Sequence, residues 1–258
     1  MTDQTVSPSP STVPAPRAIA QSELSEILRA GWGDFRRAPQ FGVFFSLFYV
    51  VGGILLYYGF VAVGQPMWFM LFVVGFPLLA PFAAVGLYDV SRRLERDEPL
   101  SWGAVLGCLF EQRDRQISYM AVIVIIAFGF WIILARGIFA IFMGQTGFGT
   151  ESLGMLLSVQ GVFMLLVGTA VGGAMAAALY AVTVISLPLL LDREVDFATA
   201  MITSYTTVME NPKVMFSWAG IIVAILFVGM IPAFLGLVVV LPVLGHASWH
   251  MYRRVLAD

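Results

Sequence analysis

Three long stretches without a charged side chain constrain this sequence more than any other feature. Residues 38–88 form a run of 51 positions without Asp, Glu, Lys or Arg, residues 152–191 a run of 40, and residues 214–252 a run of 39. A helix needs about 20 predominantly apolar residues to cross a hydrocarbon core about 30 Å thick. The three runs therefore predict helices that cross a membrane, and the longest has room for two.

The composition of the chain agrees with lipid as its solvent. Hydrophobic residues make up 59% of the sequence and charged residues 12%, against about 45–50% and about 25% in a soluble domain. The net charge of −2 gives no reason to expect nucleic acid as a partner. The single cysteine, Cys108, excludes an internal disulfide and any site within the chain that needs several thiolates. The first predicted partner is thus the lipid bilayer.

The positions of the basic residues predict how the chain crosses the membrane. Thirteen of the fourteen fall in the N-terminal segment, the long connections and the C-terminus, and only Arg136 lies elsewhere. Under the positive-inside rule, both termini are cytoplasmic. Turn residues near positions 64–66 and 229–232 divide two of the runs. The predicted spans are six, at about 41–62, 67–89, 117–142, 160–191, 213–229 and 233–252.

Amphipathic segments precede the uncharged runs. Apolar residues recur at helical spacing after Ser22, after Ser101 and after Asp196, which predicts three short helices at the membrane surface. The predicted fold class is an all-α membrane protein with six transmembrane helices, arranged as three hairpins that each follow a cytoplasmic amphipathic helix. Residues 1–21, rich in Pro and Ser, are expected to form a disordered tail, and residues 22–258 a single transmembrane domain.

A short internal alignment supports a repeat of this unit. A shift of 161 residues places Pro81, Asp89, Arg92 and Arg93 on Pro242, His250, Arg253 and Arg254, so three of the four pairs are identical. The alternative is that residues 152–191 hold two short spans, which makes seven spans in all. The repeat favours six, because it keeps all three amphipathic helices on one face.

Small residues are concentrated in the fourth predicted span. Gly168, Gly172 and Gly173 lie there beside several alanines, and such residues let helix backbones approach closely in lipid. We expect this helix to pack within the chain, near the centre of the bundle, rather than to form a homodimer interface.

One pair of residues has the spacing of metal ligands. His246 and His250 are four positions apart, so they share a helix face and can bind one metal ion. A third ligand has to come from another helix, and Asp89 and Asp192, at the ends of the second and fourth predicted spans, are the candidates. The favoured alternative is that the histidines belong to a belt of aromatic and basic residues at the membrane surface. On that interpretation the chain has no cofactor.

Four segments resemble a known family of membrane proteins. They run from Tyr88 to Trp102, from Ser186 to Met201, over Asn211-Pro212, and from Leu241 to Arg253. In these segments the chain resembles the bacterial predicted integral membrane proteins called domain of unknown function 2189, over about residues 22–255. The resemblance implies a multi-pass protein of the bacterial inner membrane and no assigned reaction.

The sequence leaves three functions open. The leading hypothesis is a non-enzymatic accessory, assembly or scaffolding component of a membrane complex, with a membrane-protein partner on the cytoplasmic side. The common phosphate-binding and hydrolase motifs are absent from the sequence, which favours a protein that is not an enzyme. The second hypothesis is a transporter or channel for a neutral or amphipathic solute. The third is metal or haem handling at the histidine pair.

Overall fold

The computed structural model describes residues 13–62, 64, 80–113, 117–144, 153–232 and 234–256. These residues form helices joined by short connections, and no strand occurs among them. In chain order the helices are α1 (Glu23–Arg37), α2 (Pro39–Ala62), α3 (Ala80–Glu95), α4 (Trp102–Arg113), α5 (Ile117–Met143), α6 (Leu153–Leu156), α7 (Val159–Thr183), α8 (Ser186–Asp192), α9 (Phe197–Glu210), α10 (Pro212–Met230) and α11 (Leu237–Val255).

Four segments in the described part of the chain are long and apolar enough to cross a membrane. They are Pro39–Gly59, Ile117–Met143, Val159–Asp192 and Pro212–Met230, and they correspond to the first, third, fourth and fifth predicted spans. Residues 67–79 of the second predicted span lie outside the described residues. The sixth, α11, is not among the four, because its second half carries two histidines and two arginines among its apolar residues.

Helix α11 is the centre of the bundle. It contacts α1, α2, α3, α8 and α10, and Trp249, Met251 and Tyr252 on it are almost completely buried. Helix α1 lies along its second half. Gly31 of α1 sits so close to α11 that a Cβ atom there would be 2.6 Å from the backbone nitrogen of Ala247. The two helices therefore pack backbone against backbone.

Helices α1, α4 and α9 lie where the three amphipathic helices were predicted. The apolar stripe of α1 is covered by protein, since Leu24, Ile27, Gly31 and Phe35 are buried. This differs from the expected position of α1 on the membrane surface, because a protein surface can bury an apolar stripe as well as lipid can. Ser22, which precedes this helix, makes no capping hydrogen bond.

Helix α9 packs on the core through small, polar and apolar residues together. Ala200, Ser204, Thr207 and Val208 are buried, whereas Ile202, Tyr205 and Met209 are exposed. The helix begins at a capping residue, because the Asp196 side chain accepts a hydrogen bond from the Thr199 backbone N–H at 2.9 Å. The exposed apolar side chains are left for lipid or for another protein.

Pro188 explains the break between α7 and α8. A proline within a helix has no N–H for the carbonyl four residues earlier and clashes with it, and the helix is interrupted at Val184 and Ile185. Ser204 of α9 bonds to two backbone groups that the break leaves without a partner in their own helix. Its hydroxyl donates to the carbonyl of Ala181 at 2.7 Å and accepts from the N–H of Ile185 at 3.2 Å. The break is therefore stabilised by a contact between helices.

Candidate functional site

The two described ends of the chain meet at one end of the bundle. The backbone N–H of Arg17 donates to the carbonyl of Val255 at 2.9 Å. Glu23 forms ion pairs with Arg17 at 2.8 Å and with Arg254 at 3.0 Å. A hydrogen bond from the Ala20 backbone, together with these two arginines, lowers the pKa of Glu23. This segment, part of the predicted tail, is thus held against α11.

A chain of hydrogen bonds joins α1, α3 and α11 next to that junction. Asp34 on α1 accepts from the Ser91 hydroxyl at 2.8 Å and from His250 Nε2 at 2.8 Å. The Ser91 oxygen lies 2.8 Å from His246 Nδ1. Residues Asp34, Ser91 and His246 are buried, and about a quarter of the His250 side chain is exposed. The predicted histidine pair therefore forms the two ends of one polar network.

The hydrogen bonds of this network determine which ring nitrogen of His246 carries a proton. Burial alone would raise the pKa of Asp34, but hydrogen bonds from His250 and Ser91 and the charge of His250 hold it below its usual value, so Asp34 is ionised. The single Ser91 proton goes to this carboxylate, and His246 Nδ1 must therefore donate to the Ser91 oxygen. His246 Nε2 is buried without a hydrogen-bond partner.

Asp89 holds two arginines at the end of α3. Its carboxylate accepts from Arg92 and, at 2.8 Å, from Arg93. Only 1% of the Asp89 side chain is exposed, against 17% of each arginine. Although burial lowers the pKa of Arg93, its bond to Asp89 raises it above the usual value. This buried carboxylate thus fixes the direction of two guanidinium groups.

Asp192 joins α3, α8 and α11. It accepts from Arg96 at 2.8 Å and from the Tyr252 hydroxyl at 2.8 Å, and it lies 3.5 Å from Arg253. Arg253 also donates to Glu95 at 3.0 Å. The charges at this end of the bundle are therefore largely neutralised within the protein and bind the helices to one another.

The structure does not bring the four predicted metal ligands together. Asp89 and Asp192, the expected third ligands, bond to arginines and a tyrosine rather than facing His246 and His250. No group of three or more metal-ligating side chains occurs in the described ranges.

The glycine prediction holds for one residue of three. A Cβ at Gly172 would lie 2.7 Å from the Trp131 ring of α5, so this glycine packs tightly against a neighbouring helix. A Cβ at Gly168 or Gly173 would meet nothing within 4 Å. About half of the residues of α7 are exposed. Among the described helices, the central position is occupied by α11 rather than by α7.

The sequence prediction missed Asp34 and Ser91. One signal was available for Asp34, a carboxylate three residues after Gly31 and next to Phe35, within the apolar stripe of α1. A charge on a stripe that becomes buried needs a partner. Its partners lie 57 and 216 positions away in sequence, and no local pattern identifies them.

Comparison with known proteins finds one similar family and gives no function. Residues 68–192, just under half of the chain, match the model of the family described as predicted integral membrane protein (DUF2189). The match confirms the resemblance inferred from the sequence, over a shorter range. No curated protein and no solved structure matches the chain. The protein is thus an integral membrane protein with several apolar helices.

Proposed function

We propose that this protein is a non-enzymatic accessory, assembly or scaffolding component of a membrane complex. One observation carries the proposal. Two of the four apolar segments bury little of their surface within the protein, with 22% of an 18-residue window of α5 buried and 28% of that of α10, against 56% for Val159–Asp192. Helices that make so few contacts within their own chain have faces available for the helices of another membrane protein.

The least buried span presents a continuous apolar face. Val122, Ile126, Phe130 and Ile133 of α5 are each more than half exposed and follow one another at intervals of four, four and three residues. This spacing places them on one side of the helix. The opposite side, with Trp131 and other residues, packs on α7. The outer face of α5 is therefore the surface we propose for the partner.

We further propose six spans in the inner membrane of a bacterium, with both termini cytoplasmic. The contact between Arg17 and Val255 supports an even number of crossings, because two chain ends that touch lie on the same side of a membrane. Four crossings come from the apolar segments already named. We assign the other two to residues 67–89 and to α11, which at 19 residues is about 28 Å long.

The packing of α11 favours an accessory role over transport. A transporter needs a pathway between its helices, and in this bundle the central position is filled by α11, with Trp249 and Tyr252 at most 1% exposed. The polar groups beside them bond to one another rather than line a passage.

The proposal is tested by photo-crosslinking in the native membrane. A photoreactive amino acid is placed at Ile126 or Ile133 of α5 and, as a control of similar exposure, at Val228 of α10, which is 64% exposed. We expect one discrete protein adduct at both α5 positions and none at Val228. Adducts with lipid alone at the α5 positions, together with a monomer in mild detergent, would contradict the proposal.

A further inference from the structure

A cavity of about 380 Å³ lies where α3, α4 and α8 meet. This volume is within the range of about 300–1,000 Å³ found for small-molecule sites. The cavity wall contains three arginines, two carboxylates, a cysteine, two glycines and a few apolar residues. The arginines are Arg92, Arg93 and Arg193. None of the functions considered so far uses it.

The arginines of the wall are positioned before any ligand arrives. Asp89 holds Arg92 and Arg93 side by side, and Arg92 also donates to the Leu191 carbonyl at 2.9 Å. The Nε donor of Arg92 is nevertheless buried without a partner. Because that atom is closed to solvent, an oxyanion in the cavity has to bind the other N–H groups, and each guanidinium has five N–H donors in all.

Two carboxylates belong to the wall, Asp192 and Glu194. Asp192 is bonded to Arg96 and lies near Arg253, which also pairs with Glu95, so its charge is balanced by groups outside the wall. Glu98, which is not a wall residue, lies 3.4 Å from Arg93. The Cys108 thiol adds no negative charge, because burial raises its pKa to about 11.

Two glycines of helix α4 form part of the cavity wall. Gly103 and Gly107 are one turn apart, and a Cβ atom at either would meet nothing within 4 Å. The Ser101 side chain accepts from the Ala104 N–H at 3.2 Å, which marks the start of the helix. The wall thus includes the first turn of a helix, whose partial positive charge favours an anion.

The cavity lies at the end of an apolar segment, which is where we expect the membrane surface. Leu190 and Leu191 of its wall belong to the apolar segment Val159–Asp192, and Arg193 follows directly after the segment. Residues at the end of a span lie at the depth of the lipid headgroups. A phosphate carried by a lipid therefore reaches this site as readily as one carried by a soluble compound.

We propose that this cavity binds a phosphate group, carried by a membrane phospholipid or by a soluble phosphate, with Arg92, Arg93 and Arg193 as its cationic ligands. Planar guanidinium groups bind phosphate oxygens in pairs, which gives both affinity and orientation. This site is separate from the outer face of α5, so either proposal can fail without the other.

Two measurements on the purified full chain test the site and identify the source of the phosphate. Equilibrium dialysis with radiolabelled inorganic phosphate measures binding of the free ion. Native mass spectrometry from nanodiscs of phosphatidylethanolamine and phosphatidylglycerol measures retained lipid. Binding in the first alone indicates a soluble phosphate, and a retained lipid indicates a headgroup. Absence of both contradicts the proposal.

Two variants locate the binding, each with a matched control. Arg193→Gln removes one cation from the wall, and Gly107→Leu fills the cavity without changing its charge. Arg36→Gln on the exposed face of α1 and Gly33→Leu, at a position with nothing within 4 Å, are the controls. We expect binding to weaken about tenfold or more in the two cavity variants, as for the loss of one charge-assisted bond, and to stay unchanged in the controls. Equal binding in all four variants would overturn the assignment of the site.

Discussion

Replacing Gly31 with alanine is expected to destabilise the protein by about 3 kcal/mol or more, at the upper end of what overpacking costs. The added Cβ would lie 2.6 Å from both the Ala247 backbone nitrogen and the Val243 carbonyl oxygen. Backbone atoms of a central helix cannot rotate away as a side chain can. The variant must therefore separate α1 from α11, and denaturant unfolding of the protein in detergent micelles measures the loss.

Gly33 provides the matched control on the same helix. A Cβ at Gly33 would meet nothing within 4 Å, and alanine is favoured over glycine inside a helix by about 1 kcal/mol. We expect Gly33→Ala to be neutral or slightly stabilising. If both variants destabilise equally, α1 does not pack on α11 in the way described.

Replacing Asp89 with asparagine is expected to cost about 3–5 kcal/mol of stability, as when one partner of a buried ion pair is removed. The carboxylate is almost fully buried and is bonded to both Arg92 and Arg93. Without this charge, the largely buried Arg92 loses its carboxylate partner and Arg93 keeps only the longer contact with Glu98 at 3.4 Å. The midpoint of denaturant unfolding of the purified variant measures the effect.

An exposed ion pair is the control for Asp89. Glu26 is 58% exposed and pairs with Arg254 at 2.8 Å, so Glu26→Gln is expected to cost less than about 1 kcal/mol. A second comparison combines Asp89→Asn with Arg93→Gln. The double variant should lose less stability than the two single variants together. Strict additivity would show that Asp89 does not neutralise Arg93.

The helices of this protein follow from local sequence patterns. Capping by Asp196 and the turn near Gly229 are visible in the sequence because they depend on residues a few positions apart. The break at Val184 has its signal in Pro188, and its stabilisation by Ser204 comes from another helix. The apolar stripe of α1 was also visible, but a stripe does not indicate whether lipid or protein will cover it.

Local sequence patterns do not predict the polar network around His246 and His250. His246 and His250 share a helix face, as their spacing predicts, yet their partners Ser91 and Asp34 are 155 and 216 positions away. The aromatic and basic residues at the end of α11 have the composition of a surface belt, and several of them are buried. A helix whose second half is polar is central here because other helices supply its hydrogen bonds.

We expect the charged ends of the helices to lie on one side of the membrane and the α10–α11 turn to lie on the other. Single cysteines at Ser25, Asp97 and Leu235, in a chain with Cys108→Ala, test it by labelling membrane vesicles of both orientations with an impermeant thiol reagent. Ser25 and Asp97 are exposed beside the charged network, and Leu235 is 62% exposed between α10 and α11. We predict that Ser25 and Asp97 are labelled only from the cytoplasmic side and Leu235 only from the other side. Labelling of Leu235 from the same side as Ser25, or of Ser25 and Asp97 from opposite sides, would contradict the account.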